Sequence, residues 1–584
     1  MGICLVLLGA EVVRASALPL SARVSNIITM TDESDSPEEG TEPQQPAAAR
    51  SSRKPARDER DRICERVEDV LYWVRRTRVA RLAPDRFLTP IDYLINLNMQ
   101  YRDHRRALAG FRWGDEDECT VPPTDHVRIP SLFVVELFPP SVKENLDRAI
   151  KRNRWDTKQL RMFGRHHLPT PDEARSGDRW LWWNLGDVVR RASNVTVGDA
   201  VRRQMPKEFD RVELKALQIG QGITAVMAKF DLNDAAISRL DEAWHRDYQP
   251  EMYWGKRGGE WPRPLSPDFV AFRRVQEERG RLHDAARQWF SAKWPGFFAT
   301  NRQPQPLLDI VLLDEISAYP ETRPASGVDG AVRALGLPHT VYVQRSTKFP
   351  AMIIGERDIG SDSDMEDRRT WAIWGNRTEI LDGLAETLTA HGLGHADSSI
   401  AHYIHDAIED YFLRLSISEM LEVCQGRYAS IRDAARQHGQ LDRLRTSLLT
   451  ISVDMSSIDR DIRAYNARGW QRDYAQFFFE DAPFLVAERG VHGSESRESI
   501  NMNEHLLNEQ MGMLETLRAA DNDYRGILTA AASLTSSLQS IRLAKTAIWV
   551  AISSLGVAVV TLLITDISKH SLFGIVAHWF ALLH

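Results

Sequence analysis

Residues 546–565 read TAIWVAISSLGVAVVTLLIT, twenty positions without a charge, bounded by Lys545 and Asp566. As a helix rising 1.5 Å per residue the run reaches about 30 Å, the thickness of a bilayer's hydrocarbon core. Trp549 sits near one end, where interfacial aromatics are enriched. The stretch therefore predicts a transmembrane helix close to the C-terminus, with the lipid bilayer as the chain's first partner. Beyond it, 566–584 forms a short apolar tail. The 13 residues 571–583 reach only about 20 Å as a helix, which suits an interfacial segment or a partial second span. Arg525, Arg542 and Lys545 precede the span and only Lys569 follows it. The positive-inside rule then places the bulk of the chain in the cytoplasm, beneath the cell membrane.

Working outward toward the N-terminus, 499–565 contains no proline. Leu507, Leu514, Leu517, Tyr524 and Leu528 keep a three-four spacing that resumes at Leu534, Leu538 and Ile541, predicting one helix of about 100 Å running into the membrane. Upstream, Leu441, Leu444, Leu448, Ile451, Met455, Ile458, Ile462 and Tyr465 alternate steps of three and four, the seam of a coiled coil. Between these seams the chain passes through Phe477, Phe478 and Phe479 and turns around Pro483 and Gly490. The expectation is a stalk, 399–545, of long antiparallel coiled-coil helices through which the protein forms a homo-oligomer.

The stretch before the stalk mixes periodicities. Leu132 to Phe138 reads as a strand ended by Pro139 and Pro140. Val212 to Ile219 and Ile223 to Phe230 flank Gly220-Gln221-Gly222 as a hairpin. Asn233 or Asp234 caps a helix through Leu240 and Trp244, and Ser266-Pro267-Asp268 opens another that stops at Pro295-Gly296. Short strands are predicted at Leu307 to Leu313, Val341 to Val343, Met352 to Ile354 and Trp371 to Trp374. The fold class is α+β: a cytoplasmic mixed α/β domain over 126–398, preceded by a helical segment over 58–125 and followed by the stalk and the span at 546–565.

Residues 1–57 read as a polar, Pro-rich tail unable to bury a core. Its first part, Ile3 to Ala10 with Ala15-Ser16-Ala17, has the outline of a secretory signal but no basic residue ahead of the apolar run. Met30 is the expected true start.

The chain has 584 residues, 81 acidic against 74 basic, for a net charge of −7. That balance argues against a nucleic-acid partner, which calls for a basic surplus. Cys4, Cys64, Cys119 and Cys424 lie far apart and form no CxxC pair, so neither a cysteine zinc module nor a disulfide framework is implied. No Walker loop, HExxH, nucleophile elbow or kinase signature is present. Gly220-Gln221-Gly222-Ile223-Thr224-Ala225 formally matches GxGxxA, but a strand rather than a helix is predicted after it. Trp180, Trp182 and Trp183 form an aromatic group best read as core. The strongest candidate for chemistry is a set of histidines with a carboxylate: His391, His395, His402, His405 and Glu409. On a helix the last three share one face, and neutral imidazoles with a carboxylate can hold a divalent metal ion. The bland reading is a solvated and helix-capping group of histidines. No catalytic residue is identified, and a non-enzyme is favoured.

The layout of an α/β domain, long stalk helices and a stalk helix entering the membrane near the C-terminus resembles the CorA-type magnesium channel family. The resemblance covers Leu441 to the end, with a looser similarity before it. In that family the first span is followed by Gly-Met-Asn and a full second span; here Thr565-Asp566-Ile567 occupies the place and the second apolar segment is short. If the chain conducts ions, Thr561, Thr565 and Asp566 are the candidate pore-lining groups. Around Trp294-Pro295-Gly296-Phe297-Phe298 the chain is similar to uncharacterised actinobacterial membrane proteins. The His405-Asp406 pair resembles the metal-dependent HD phosphohydrolases. Three functions follow as expectations: an oligomeric membrane-anchored sensor or binding protein, a divergent CorA-like divalent cation channel, and a membrane-anchored metal-dependent hydrolase.

Overall fold

The computed structural model describes residues 59–77, 85–108, 119–153, 175, 181–193, 200–254, 262–338, 341–357, 369–390, 392–394, 396–435, 441–467, 475–491, 498–565 and 572–583. Its strands are β1 (Val127–Arg128), β2 (Ser131–Phe138), β3 (Leu181–Arg190), β4 (Val201–Arg203), β5 (Phe209–Ile219), β6 (Ile223–Leu232), β7 (Glu251–Tyr253), β8 (Arg263–Leu265), β9 (Leu307–Leu313), β10 (Tyr342–Ser346), β11 (Phe349–Glu356), β12 (Thr370–Asn376), β13 (Phe477–Asp481) and β14 (Ile500–Asn501). Its helices are α1 (Glu59–Arg76), α2 (Asp85–Leu108), α3 (Lys143–Asn153), α4 (Asp234–His245), α5 (Pro267–Lys293), α6 (Phe297–Thr300), α7 (Ser326–Ala334), α8 (Arg377–Ala390), α9 (Asp397–Ala435), α10 (Leu441–Asn466), α11 (Pro483–Val491), α12 (Met502–Thr565) and α13 (Leu572–Leu583).

Twelve strands form one mixed sheet in the order β14-β13-β10-β11-β12-β9-β2-β6-β5-β3-β4, with β1 also paired to β9. The pairs β9/β12 and β3/β4 are parallel and the remaining ladders antiparallel. The central strands are apolar at nearly every position because both faces are covered, and successive side chains go to opposite layers. On β2, Phe133, Val135 and Leu137 join one core while Leu132, Val134 and Phe138 join the other. Strand β9 divides Leu308, Ile310 and Leu312 from Leu307, Val311 and Leu313 in the same way.

The second of these cores is closed by α3, α4, α5 and α7, through Leu146, Trp244, Phe290 and Ala331 among others. Asn233 caps α4 by accepting from the Ala236 amide at 2.9 Å, and Pro267 sits in the first turn of α5. Both starts agree with the side-chain signals in the sequence. A buried ion network ties α5 to the sheet. Arg279 and His283 each lie 2.7 Å from Asp309 on β9. Burial opposes ionisation of Asp309, but His283 and Arg279 overcome it and hold the carboxyl below its ordinary range.

The first core is closed by α8, α9, α10 and α12. The seam residues Leu448, Ile451, Met455, Ile458, Ile462 and Tyr465 are all buried in it together with sheet side chains. The side chains of Leu441, Leu444, Leu528, Leu534 and Leu538 lie outside the described set. Hydrogen bonds give the helix directions. Tyr465 and Asn466 meet Asp410 and Arg414, and Ser452 meets Asp521 beside Tyr428. Gln510 donates to the Arg414 carbonyl at 2.7 Å. Helix α10 therefore runs antiparallel to both α9 and α12, which are parallel to each other.

Two expectations change here. The boundary drawn at 398 does not separate two cores, because α9, α10 and α12 complete the sheet's own core. Between the seams, Phe477–Asp481 is β13, paired to β10, so the connection between helices extends the sheet before Pro483. Three consecutive aromatics are compatible with an edge ladder because β-propensity rewards half-buried flat surfaces. Residues 483–491, expected as a turn, are helical.

Helix α12 has 64 residues, about 95 Å. Its first third is anchored by Leu506, Gln510, Leu514, Leu517 and Asp521, all buried. Its stretch Gln539–Leu562, mean hydropathy 1.8, has none of its most apolar window buried and is long and apolar enough to cross a membrane. It is the one such helix among the described residues.

Candidate functional site

Strand β5 sends Glu213 and Lys215 to the face on which Leu217 and Ile219 join the first core. Register places Glu213 beside Lys229 of β6 on one side and Asp187 of β3 on the other, with Phe133 of β2 next to Lys229. The amino-terminal half of α9 lies over this row. Spacing of three, four and seven puts His402, His405, Asp406 and Glu409 on the helix face that meets it.

Lys215 Nζ is the hub. It donates to Glu409 Oε1 at 2.7 Å and to Asp406 Oδ1 at 2.9 Å, lies 3.4 Å from His405 Nδ1, and is 4.0 Å from Glu213 Oε1. Burial alone pulls the ammonium's pKa down, and the carboxylates of Glu409 and Asp406 more than reverse it, so Lys215 stays charged. Burial pushes Glu409 up to about 7, against the pull of Lys215. His405 is stacked on the Phe133 ring, centroids 4.8 Å apart and planes at 10°. Burial first, and then the positive charges of Lys215 and Lys229, hold its pKa well below the ordinary value, so the imidazole is neutral. Its Nε2 lies 3.1 Å from Glu409 Oε1 but out of line for a hydrogen bond, and it has no other partner.

Charges continue along the sheet. Arg211 pairs with Asp187 at 2.7 Å and stands 3.6 Å from Glu213 and 3.8 Å from Asp231; Lys229 is 3.5 Å from Asp231. Five carboxylates (Asp187, Glu213, Asp231, Asp406, Glu409) thus meet three permanent cations (Arg211, Lys215, Lys229) where α9 lies over the sheet. Opposite charges clasped at hydrogen-bond distance fix the geometry of the α9–sheet junction. The excess of carboxylates over cations makes the junction attractive to cations.

Of the residues singled out in the sequence, the structure brings together His402, His405 and Glu409. His391 and His395 lie outside the described residues. Among the pore candidates, Thr561 is exposed on α12 with its hydroxyl bonded to the Val557 carbonyl, the side chain of Thr565 is not described, and Asp566 lies outside the described residues. Trp180 lies outside them also, while Trp182 and Trp183 fall on β3. The sequence reading missed Glu213, Lys215 and Lys229. A signal exists: within β5 the alternation Glu213, Lys215, Leu217, Ile219 places two charges on an otherwise apolar face, which demands partners from whatever covers it.

A second set with metal-ligand character sits on the opposite side of the sheet. His126 Nδ1 is 2.9 Å and His245 Nδ1 is 3.5 Å from Asp241. It is more open, with half of the His126 side chain exposed. The chain matches no family model, no curated protein and no solved structure.

Proposed function

We propose that this protein is a membrane-anchored sensor or binding protein whose body lies in the cytoplasm and communicates with the bilayer through α12. One observation carries the reading: a single unbroken helix is packed into the body's core at Leu506, Leu514 and Leu517 and is fully exposed and apolar at Gln539–Leu562. A rigid helix shared between the body and a membrane is a physical link between the two. Arg525, Arg542 and Lys545 ahead of the span support the cytoplasmic orientation. Exposed Leu449 and Val453 on α10 and Ile527 on α12 support self-association along the helices, since apolar side chains of this size gain by leaving water.

The test compares the full chain with one ending at Ser537 after expression and alkaline carbonate washing. The full chain is expected to stay in the membrane pellet and the shortened one to leave it with its helical circular dichroism intact. Extraction of the full chain by carbonate overturns the anchor.

The CorA-like channel is the second reading, favoured by α13, a second apolar helix of 12 residues. At about 18 Å it falls short of a full crossing. A cysteine at His584, in a chain with Cys4, Cys64, Cys119 and Cys424 replaced, separates the two. Labelling by an impermeant thiol reagent on intact cells means one crossing and the anchored sensor; labelling only after permeabilisation means two crossings and the channel. The hydrolase reading has the least support, because Lys215 lies between Asp406 and Glu409, where an HD-type centre would need its metal ion.

A further inference from the structure

We propose that Glu213, His402 and His405 form a binding site for one divalent transition-metal ion, of the class that takes mixed imidazole and carboxylate ligands. One carboxylate oxygen and one nitrogen from each ring lie within 4.8 Å of one another. A metal bound at about 2.1 Å from each ligand needs them closer than this, and His402, 44% exposed, is free to swing inward.

Two buried groups point at the site without a hydrogen-bond partner. The Glu213 side chain is 7% exposed, and its nearest cations stand at 3.6 and 4.0 Å, beyond hydrogen-bond reach. His405 Nε2 is equally buried and unpartnered. An orphaned imidazole nitrogen costs free energy when buried, and a carboxylate held only by longer ion pairs has room for a closer cation. A single cation between them relieves both. Its charge also offsets the excess of carboxylates over cations around the site. Lys215 Nζ is bonded to Glu409 and Asp406 and stands 3.4 Å from His405 Nδ1 and 4.0 Å from Glu213, so the ion takes the Nε2 side of the ring, with Glu213 as the carboxylate left to hold it. The neutral imidazole of His405 is the form that ligates.

The site stands apart from the membrane anchor, so either can fail without the other. Its test is calorimetric titration of the full chain in detergent micelles with ZnCl2 after chelator treatment, alongside wild-type-like circular dichroism. One saturable equivalent is expected. Glu213→Gln and His402→Ala should each weaken it tenfold or more, while His126→Ala leaves it unchanged. His402 is half-exposed, so its variant keeps the test decisive even if Glu213→Gln folds poorly. Absence of saturable binding, full binding by His402→Ala, or loss of binding in His126→Ala overturns the assignment; the last result would place the metal at the surface trio instead.

Discussion

Glu409 shows how a single residue records its surroundings. In water a glutamate ionises near 4.5; here burial lifts it to about 7, although Lys215 stands 2.7 Å away. The folded state therefore holds the proton more tightly than the unfolded state does. Whatever stability Glu409 contributes is fully present below its unfolded value and is lost as the pH rises through about 7. Glu409→Gln has no such titration. Its stability in urea, measured against the native chain, is expected to improve steadily between pH 5 and pH 8. A difference that stays flat or moves the other way would show that Lys215 dominates burial at this position.

At the scale of elements, the junction between the β5–β6 hairpin and α10 rests on one side chain. Gly220 adopts φ +59°, the left-handed region that side chains other than glycine seldom occupy, and the turn leaves three amides facing α10. Asp461 accepts all three, from Gln221 at 3.2 Å, from Gly222, and from Ile223 at 3.1 Å. A β-carbon at position 220 would lie 2.5 Å from the Asp461 carboxylate, so the turn and the carboxylate are matched in shape as well as in polarity. Asp461→Ala leaves buried amides without an acceptor and should cost about 3 kcal/mol. Thermal or urea unfolding measures the loss, and a change below about 0.5 kcal/mol would mean that the amides find water instead. The GxGxxA resemblance of this segment is thereby explained: its glycines serve a hairpin gripped by a helix, with no phosphate-facing helix start after it.

At the scale of the whole molecule, the sheet is sandwiched between two sets of helices, one taken from the middle of the chain and the other largely from its C-terminal part. Met455 and Ile458 of α10, Leu514 of α12 and Phe412 of α9 fill the same core as Ile310 and Ile373 of the sheet. A fragment covering 119–398 would expose that entire face to water. It is expected to show no cooperative urea transition and to bind a hydrophobic dye, whereas a chain covering 119–537 should unfold in one step. A cooperative transition for the shorter fragment would restore the expected independence of the α/β domain from the stalk.

Local elements and the membrane-competent helix were legible without coordinates because their signals are local. Strand β2, the β5–β6 hairpin, the capped starts of α4 and α5, and the charge-free run at 546–565 each depend on residues within a short stretch of chain. The seam on α10 was legible as a buried stripe, yet period alone does not name what a stripe packs against; the two flanking helices and sheet strands from hundreds of residues away decided that. The histidines of α9 stood out by residue type, but their chemistry was set by Glu213, Lys215 and Lys229, nearly 200 positions earlier. Charge pairing and desolvation act through space at a few ångströms, so only the tertiary structure could show which cations stand against which carboxylates.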